Sequence, residues 1–236
     1  MTTIASRWQV LNKRIKTAAE AAGRPQNSVR LIAVSKTFPA EYVRQAYAAG
    51  QRAFGESYVQ EALAKIDALR DLEIEWHFIG PIQSNKTRAI AEHFHWVHSV
   101  DRLKIAKRLS DARPPGMPRL EVCLQVDVSG EASKSGKAPE EALALAGEIA
   151  GLPRIHLRGL MGIPDPTMEP ISQRIQLRAL RELKETIVAR GVALDTLSMG
   201  MTDDLEAAIA EGATLVRVGR AIFGERSQKG APVQSD

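Results

Sequence analysis

The 236-residue sequence has a single cysteine, Cys123, so no internal disulfide can form. That fits a reducing compartment. Long apolar runs are missing as well. The opening stretch MTTIASRWQVLNKRIKTAAEAAG carries charge throughout and has no apolar centre, so neither a cleaved leader nor a membrane span is expected there, and the cytoplasm is the expected location. Aromatic residues are sparse at 5%, whereas alanine is plentiful, which suits closely packed helices. Charge of one sign is lacking too. The net charge of +4 arises from Lys and Arg interleaved with Glu and Asp, as in RALRELKETIVAR. That pattern is a solvated helix face, not a stripe for nucleic acid. No low-complexity linker divides the chain, so one domain is expected over 1–228, with a disordered tail over 229–236.

What is present is an alternation. Ile4, Trp8, Leu11 and Ile15 recur at helical spacing, and Gly23 with Pro25 closes that helix. RLIAVS then reads as a short apolar strand of the buried parallel kind. Further strands are predicted in RAFG, EWHFIG, HWVHSV, LEVCLQVDV, IHLRGLMGI, LDTLSMG and TLVRVGRAIFG, and every strand but this last is followed by a helical segment. Eight strands alternating with helices predict a single (β/α)8 TIM barrel with an extra N-terminal helix. An open doubly wound sheet is the alternative, but no G-x-G-x-x-G or Walker sequence follows any strand.

Barrels carry their chemistry at the C-terminal ends of the strands. There the sequence places Lys36 after LIAVS, Glu56 and Ser57 after RAFG, His77 on the third strand, SMGMTDD after the seventh and Arg217, Gly219 and Arg220 on the eighth. Thr202 reads as the N-cap of a helix beginning near Asp203, and free N–H groups at a helix start suit a phosphate. An apolar setting lowers the pKa of a lysine and makes its amine a nucleophile. A lysine facing a phosphate cup suggests a Schiff base to a phosphorylated carbonyl compound: pyridoxal phosphate, or the substrate of a sugar-phosphate aldolase. Arg217, two residues before Gly219, should face the same side; it could meet a cofactor ring nitrogen, a phosphate, or a carboxylate such as Asp195. His93, His95 and His98 in HFHWVH lack an acidic or thiol companion and read as structural, with no metal expected. Cys123 reads as core.

AVSKT, FGESYVQEA, WHFIGPIQSNK, DRLKIAKRL, SKSG, RGLMGIP, LSMGMTDDLEAAI and VRVGRAIFG, in order over about residues 8–226, closely resemble the pyridoxal phosphate homeostasis proteins (the YggS/PROSC family). The resemblance implies a single barrel of the alanine-racemase N-terminal type. It implies a protein that holds pyridoxal 5'-phosphate and balances it against apo-enzymes, without established catalysis. Lys36 would then be the Schiff-base lysine. Ser198, Gly200, Met201, Thr202, Gly219 and Arg220 would line the phosphate, Arg217 would meet the ring nitrogen or phosphate, and His77, Asn85 and Met161 would lie around the ring. Two residues depart from the family pattern. Ser57 stands where asparagine is usual, and Phe38 where a second lysine is frequent. The enzyme alternative is a racemase or decarboxylase; relatives with those activities add a second β-domain, and this chain stops soon after its eighth strand. A monomer is expected, with no nucleic-acid or membrane partner.

Overall fold

The computed structural model describes residues 2–128, 136–165 and 169–225. The expected tail and Lys134 of the SKSG motif lie outside the described residues. Helix α1 (Ile4–Ala21) precedes strand β1 (Arg30–Val34), and α2 (Ala40–Ala48) leads to β2 (Ala53–Glu56). Next come α3 (Val59–Ala68), β3 (Glu75–Phe78), a 3-10 turn at Ser84–Lys86 and α4 (Thr87–His93). They are followed by β4 (Trp96–Val100), α5 (Leu103–Ala112), β5 (Leu120–Gln125), α6 (Pro139–Ala150) and β6 (Ile155–Met161). The last units are α7 (Pro170–Ala189), β7 (Thr196–Ser198), α8 (Leu205–Ala210), β8 (Leu215–Val218) and α9 (Arg220–Phe223). All eight strands pair in parallel and in chain order, and β1 pairs with β8 to close the barrel. The open-sheet alternative is thereby excluded.

Local chemistry explains the ends of several elements. Thr3 caps α1, its hydroxyl accepting from Ser6 N–H at 3.1 Å. Pro139 and Pro170 occupy the first positions of α6 and α7, where a missing N–H costs nothing. Two expectations need correction. The segment TLVRVGRAIFG is a strand only as far as Val218; after Gly219 it turns into α9. Helix α8 starts at Leu205 with Asp204 at the cap position, so Thr202 is not its N-cap. Asp204 instead uses Oδ1 to accept from Met201 N–H at 2.7 Å, which tightens the turn before the helix.

Strand alternation sorts the side chains into two cores. Outward residues such as Leu31, Ala33, Phe54, Phe78 and Val97 pack beneath the helices in the large core. Inward residues Ile32, Ala53, Trp96, Cys123, Met161 and Leu215 form a separate cluster inside the barrel. Cys123 is buried there, and burial pushes its thiol up to about 12, so it is an inert apolar group. The Trp96 ring is the floor of the upper half. His77 stacks on it with ring centroids 5.6 Å apart, and the Arg158 guanidinium lies 5.2 Å from the ring centroid.

Helix α1 reaches across the last unit of the barrel. Arg14 pairs with Glu206, with Nε–Oε1 at 2.5 Å, and donates to Thr202 O at 3.0 Å. Arg24 donates to Ile209 O at 2.7 Å and to Ala213 O at 2.8 Å. These bonds fasten the first helix and the turn that follows it to α8 and to the turn that carries Thr202.

Candidate functional site

The C-terminal mouth of the barrel begins at the end of β1. Ser35 is fully buried, and its hydroxyl donates to Glu56 Oε1 at 2.7 Å. Lys65, from α3, donates to the same oxygen at 2.7 Å, to Ser35 O at 2.7 Å and to Glu61 Oε1 at 2.6 Å. Glu61 in turn accepts from Thr37 N–H at 2.6 Å. Thr37 is the only non-glycine residue with positive φ among the described residues, at 70°, a conformation that costs on the order of 1 kcal/mol. The Lys65–Glu56–Glu61 cluster holds that turn. Because Ser35 points outward to Glu56, alternation leaves the half-buried Lys36 on the barrel-mouth side. Burial pushes the Glu56 carboxyl up, opposed by Lys65 and by the Ser35 hydrogen bond.

The adjoining wall comes from β7 and β8, the latter paired with β1. Gly200 has φ 96°, and a Cβ there would lie 2.6 Å from Ala208 Cβ, so only glycine fits. Its carbonyl accepts from Arg217 N–H at 2.9 Å, fixing the turn after β7 to β8. Gly219 also tolerates no side chain: a Cβ would sit 2.9 Å from Val34 O, next to the strand that leads to Lys36. Among the described residues, no acceptor meets the backbone N–H groups of Thr202, Gly219 or Arg220. Backbone N–H groups without an acceptor carry positive partial charge and can donate to an anion. The Met201 N–H is already given to Asp204.

Below this edge runs a chain of buried polar groups. Arg217, 6% exposed, donates through Nη1 to Ser198 O and Ser198 Oγ, both at 2.6 Å, and through Nη2 to Gly162 O at 3.1 Å. Its neighbours in these bonds are all neutral. Burial lowers its pKa to about 10, partly offset by Asp204, so the guanidinium stays charged at neutral pH. The Asp195 pairing considered from sequence does not form, because Asp195 pairs with Arg158 at 2.6 Å. Ser198 Oγ is 2.7 Å from His98 Nδ1, His98 Nε2 is 2.9 Å from His77 Nδ1, and His77 Nε2 is 2.6 Å from Glu75 Oε1. Arg30 also holds Glu75, at 2.7 Å.

The predicted residues therefore separate by depth. Lys36, Ser57, Met201 and Thr202 are half-buried at the mouth, with Gly219 and Arg220 beside them, and Asn85 is exposed on the 3-10 turn after β3. Met161 is buried in the inner cluster, and His77 is fully buried with both ring nitrogens engaged. Sequence reading missed Lys65, Glu61, Glu75 and His98 as parts of this region. The Glu61–Lys65 spacing of four on one helix was a usable signal; the contact of His77 with His98 across β3 and β4 was not. Among the HFHWVH histidines, His95 Nδ1 accepts from Trp76 N–H at 3.0 Å, and His93 Nδ1 lies 2.9 Å from Ala89 O.

Comparison with known proteins supplies the relationships. The family profile of the alanine racemase N-terminal domain matches residues 8–227. A Pseudomonas aeruginosa protein named pyridoxal phosphate homeostasis protein is 62% identical over 98% of this chain and 99% of its own length. The structure of PipY from Synechococcus elongatus with pyridoxal phosphate bound superposes with a TM-score of 0.84, at 38% identity, over 94% of this chain and 100% of that one. Alanine racemase from Corynebacterium glutamicum, at 18% identity and a TM-score of 0.67, covers 92% of this chain but only 60% of the racemase, and shares the fold. No helix among the described residues is long and apolar enough to cross a membrane, and with its closed eight-stranded barrel and these matches the chain belongs to the alanine racemase N-terminal domain family and, within it, to the pyridoxal phosphate homeostasis proteins.

Proposed function

We propose that this protein binds pyridoxal 5'-phosphate at the barrel mouth and serves pyridoxal phosphate homeostasis, as the names of its relatives describe for them. The observation that carries the reading is that Lys36 follows β1 on a braced turn while the adjoining β7 and β8 ends bring backbone N–H groups at Thr202, Gly219 and Arg220 that meet no acceptor among the described residues. When bound, the cofactor supplies an aldehyde that condenses with amines. Lys36 Nζ is the amine positioned to take it. The phosphate falls to the Thr202, Gly219 and Arg220 donors, with Ser198 and Gly200 shaping the cup and Met201 contributing contact without its N–H. Ser57 and Asn85 stand at the rim. Met161 supports the ring from within the barrel.

Arg217 sets the character of the site. A guanidinium only donates, so a ring nitrogen facing it must accept and stay unprotonated. By keeping that nitrogen unprotonated Arg217 would make the cofactor a weak electron acceptor, and so would favour holding it over turning over a substrate. The protein then acts in the cytoplasm as a monomer that releases its cofactor to apo forms of pyridoxal phosphate enzymes. The test combines trapping with transfer. Borohydride treatment of the loaded protein should fix the cofactor on Lys36, and Lys36→Ala should lose all label. Loaded wild type should activate an apo-enzyme in a mixture. Label at Lys86 or Lys134, or steady racemisation or decarboxylation of an amino acid that disappears in Lys36→Ala, would overturn the reading.

A further inference from the structure

The buried groups under Arg217 form a continuous path along the barrel interior. At one end, Glu75 has a side chain 32% exposed at the N-terminal opening, held by Arg30. At the other, Arg217 underlies the mouth. The direction of every hydrogen bond between them follows from the ends. Glu75 is ionised: burial raises its carboxyl pKa, but the His77 hydrogen bond and the His77 and Arg30 charges outweigh this and hold it at about 2. A carboxylate only accepts, so His77 Nε2 must donate to it. His77 Nδ1 is then an acceptor in the neutral ring, and His98 Nε2 must donate to it. His98 Nδ1 accepts in turn, so the Ser198 hydroxyl must donate to His98. Its Oγ is left as an acceptor for Arg217 Nη1. Burial lowers the pKa of both histidines, in keeping with two neutral rings.

We propose that Glu75, His77, His98 and Ser198 form a one-way hydrogen-bond relay that fixes Arg217 and presents its remaining N–H groups to the cofactor's ring nitrogen. These four act as positioning residues, and the inference rests on the reading that pyridoxal phosphate occupies the mouth. Arg217 uses both Nη1 protons and one Nη2 proton on Ser198 and Gly162, which leaves Nε–H and one Nη2–H uncommitted by those bonds. Among the described residues, no carboxylate hydrogen-bonds Arg217. Its orientation therefore depends on two carbonyls and on a hydroxyl whose own proton is committed to His98. Reversing any single bond in the relay would leave two acceptors or two donors facing each other in a buried space, which is costly. Trp96 packs against His77, which keeps the ring from turning away.

The first test needs no variant. Nitrogen-15 NMR of the cofactor-free protein at neutral pH should show His77 and His98 both as neutral Nε2–H tautomers. An Nδ1–H tautomer or an imidazolium at either ring would overturn the relay. The second test uses His98→Phe, which cannot relay, and His98→Gln, whose amide can accept from Ser198 and donate to His77. His98→Phe should weaken pyridoxal phosphate about tenfold. It should leave the affinity of 1-deaza-pyridoxal phosphate, which has carbon in place of the ring nitrogen, unchanged. His98→Gln should recover most of the loss. Equal loss for both compounds, or none for either, would overturn the assignment. Loss of borohydride label from Lys36 in wild type would instead strike the function proposed above, and the tautomer measurement would still judge the relay.

Discussion

The two ends of the barrel solve opposite problems. At the N-terminal end, polar and charged side chains satisfy one another: Arg30 pairs with Glu75 at 2.7 Å and Arg158 with Asp195 at 2.6 Å and with Glu121 at 3.3 Å, and His156 Nδ1 lies 3.1 Å from Glu121 Oε2. At the C-terminal end, backbone donors at Thr202, Gly219 and Arg220 find no acceptor among the described residues, Thr37 is held at positive φ, and Arg217 is charged without a carboxylate bond. The first end is closed on itself and contributes to stability. The second leaves hydrogen-bonding capacity open, which is what a ligand site requires. Trp96 divides them.

That contrast can be broken from either side. The largest effect should come from Gly219→Val, because a Cβ would meet Val34 O at 2.9 Å and close the cradle. Affinity for pyridoxal phosphate, measured by fluorescence titration, should fall on the order of a hundredfold, as overpacking of about 3 kcal/mol implies. Affinity for pyridoxal should fall far less, and equal losses would remove the phosphate role.

The next effect concerns the layer between the ends. Fully buried His77 and His98 have pKa values lowered first by burial, so below about pH 6.5 the unfolded chain binds protons that the folded chain refuses. Stability is therefore complete above that pH and declines as pH falls. The two rings together should remove up to about 2 kcal/mol between pH 6.5 and 5.5, measured by urea unfolding. A flat profile over that interval would mean that the rings are not held neutral.

Arg158→Ala tests the closed end. It removes the partner of Asp195 and Glu121 and the cation over Trp96, and should cost about 1 kcal/mol of stability while leaving cofactor affinity unchanged. A change in affinity would show that the two ends are not independent. The smallest effect is expected at the rim. Ser57→Asn restores the residue usual in the family and a longer reach, so cofactor affinity should stay equal or tighten, by about 1 kcal/mol at most. A large loss would mean that the rim has been rebuilt around serine.

The order of the barrel was legible because each strand is a short apolar run between turn residues, and that pattern survives without tertiary information. The positions of Lys36 and Gly219 just past the ends of β1 and β8 were legible for the same reason, each lying beyond such a run. The β8–α9 boundary was not: RAIFG continues the apolar run, and only the chain reversal at Gly219 shows that it is helical. Thr202 has a side chain that suits capping, but Asp204 takes the position with a carboxylate that reaches Met201 N–H. Glu75 and His77, two apart on one strand, were predictably on one face. Their continuation to His98, Ser198 and Arg217 depends on β3–β4 register and on reach across the barrel, which no local pattern encodes.

The fastening of α1 to the last unit bears on how the chain is made. Arg14 and Glu206 are 192 positions apart, and Arg24 and Ala213 are 189 apart. At about 5–20 residues per second, a ribosome needs roughly 10–40 seconds to deliver the partner of the first helix. Until then β1 lacks β8, and the apolar face of α1 has no complete surface to cover. The nascent chain therefore waits with an open sheet edge, and closure of the barrel cannot precede synthesis of its last unit.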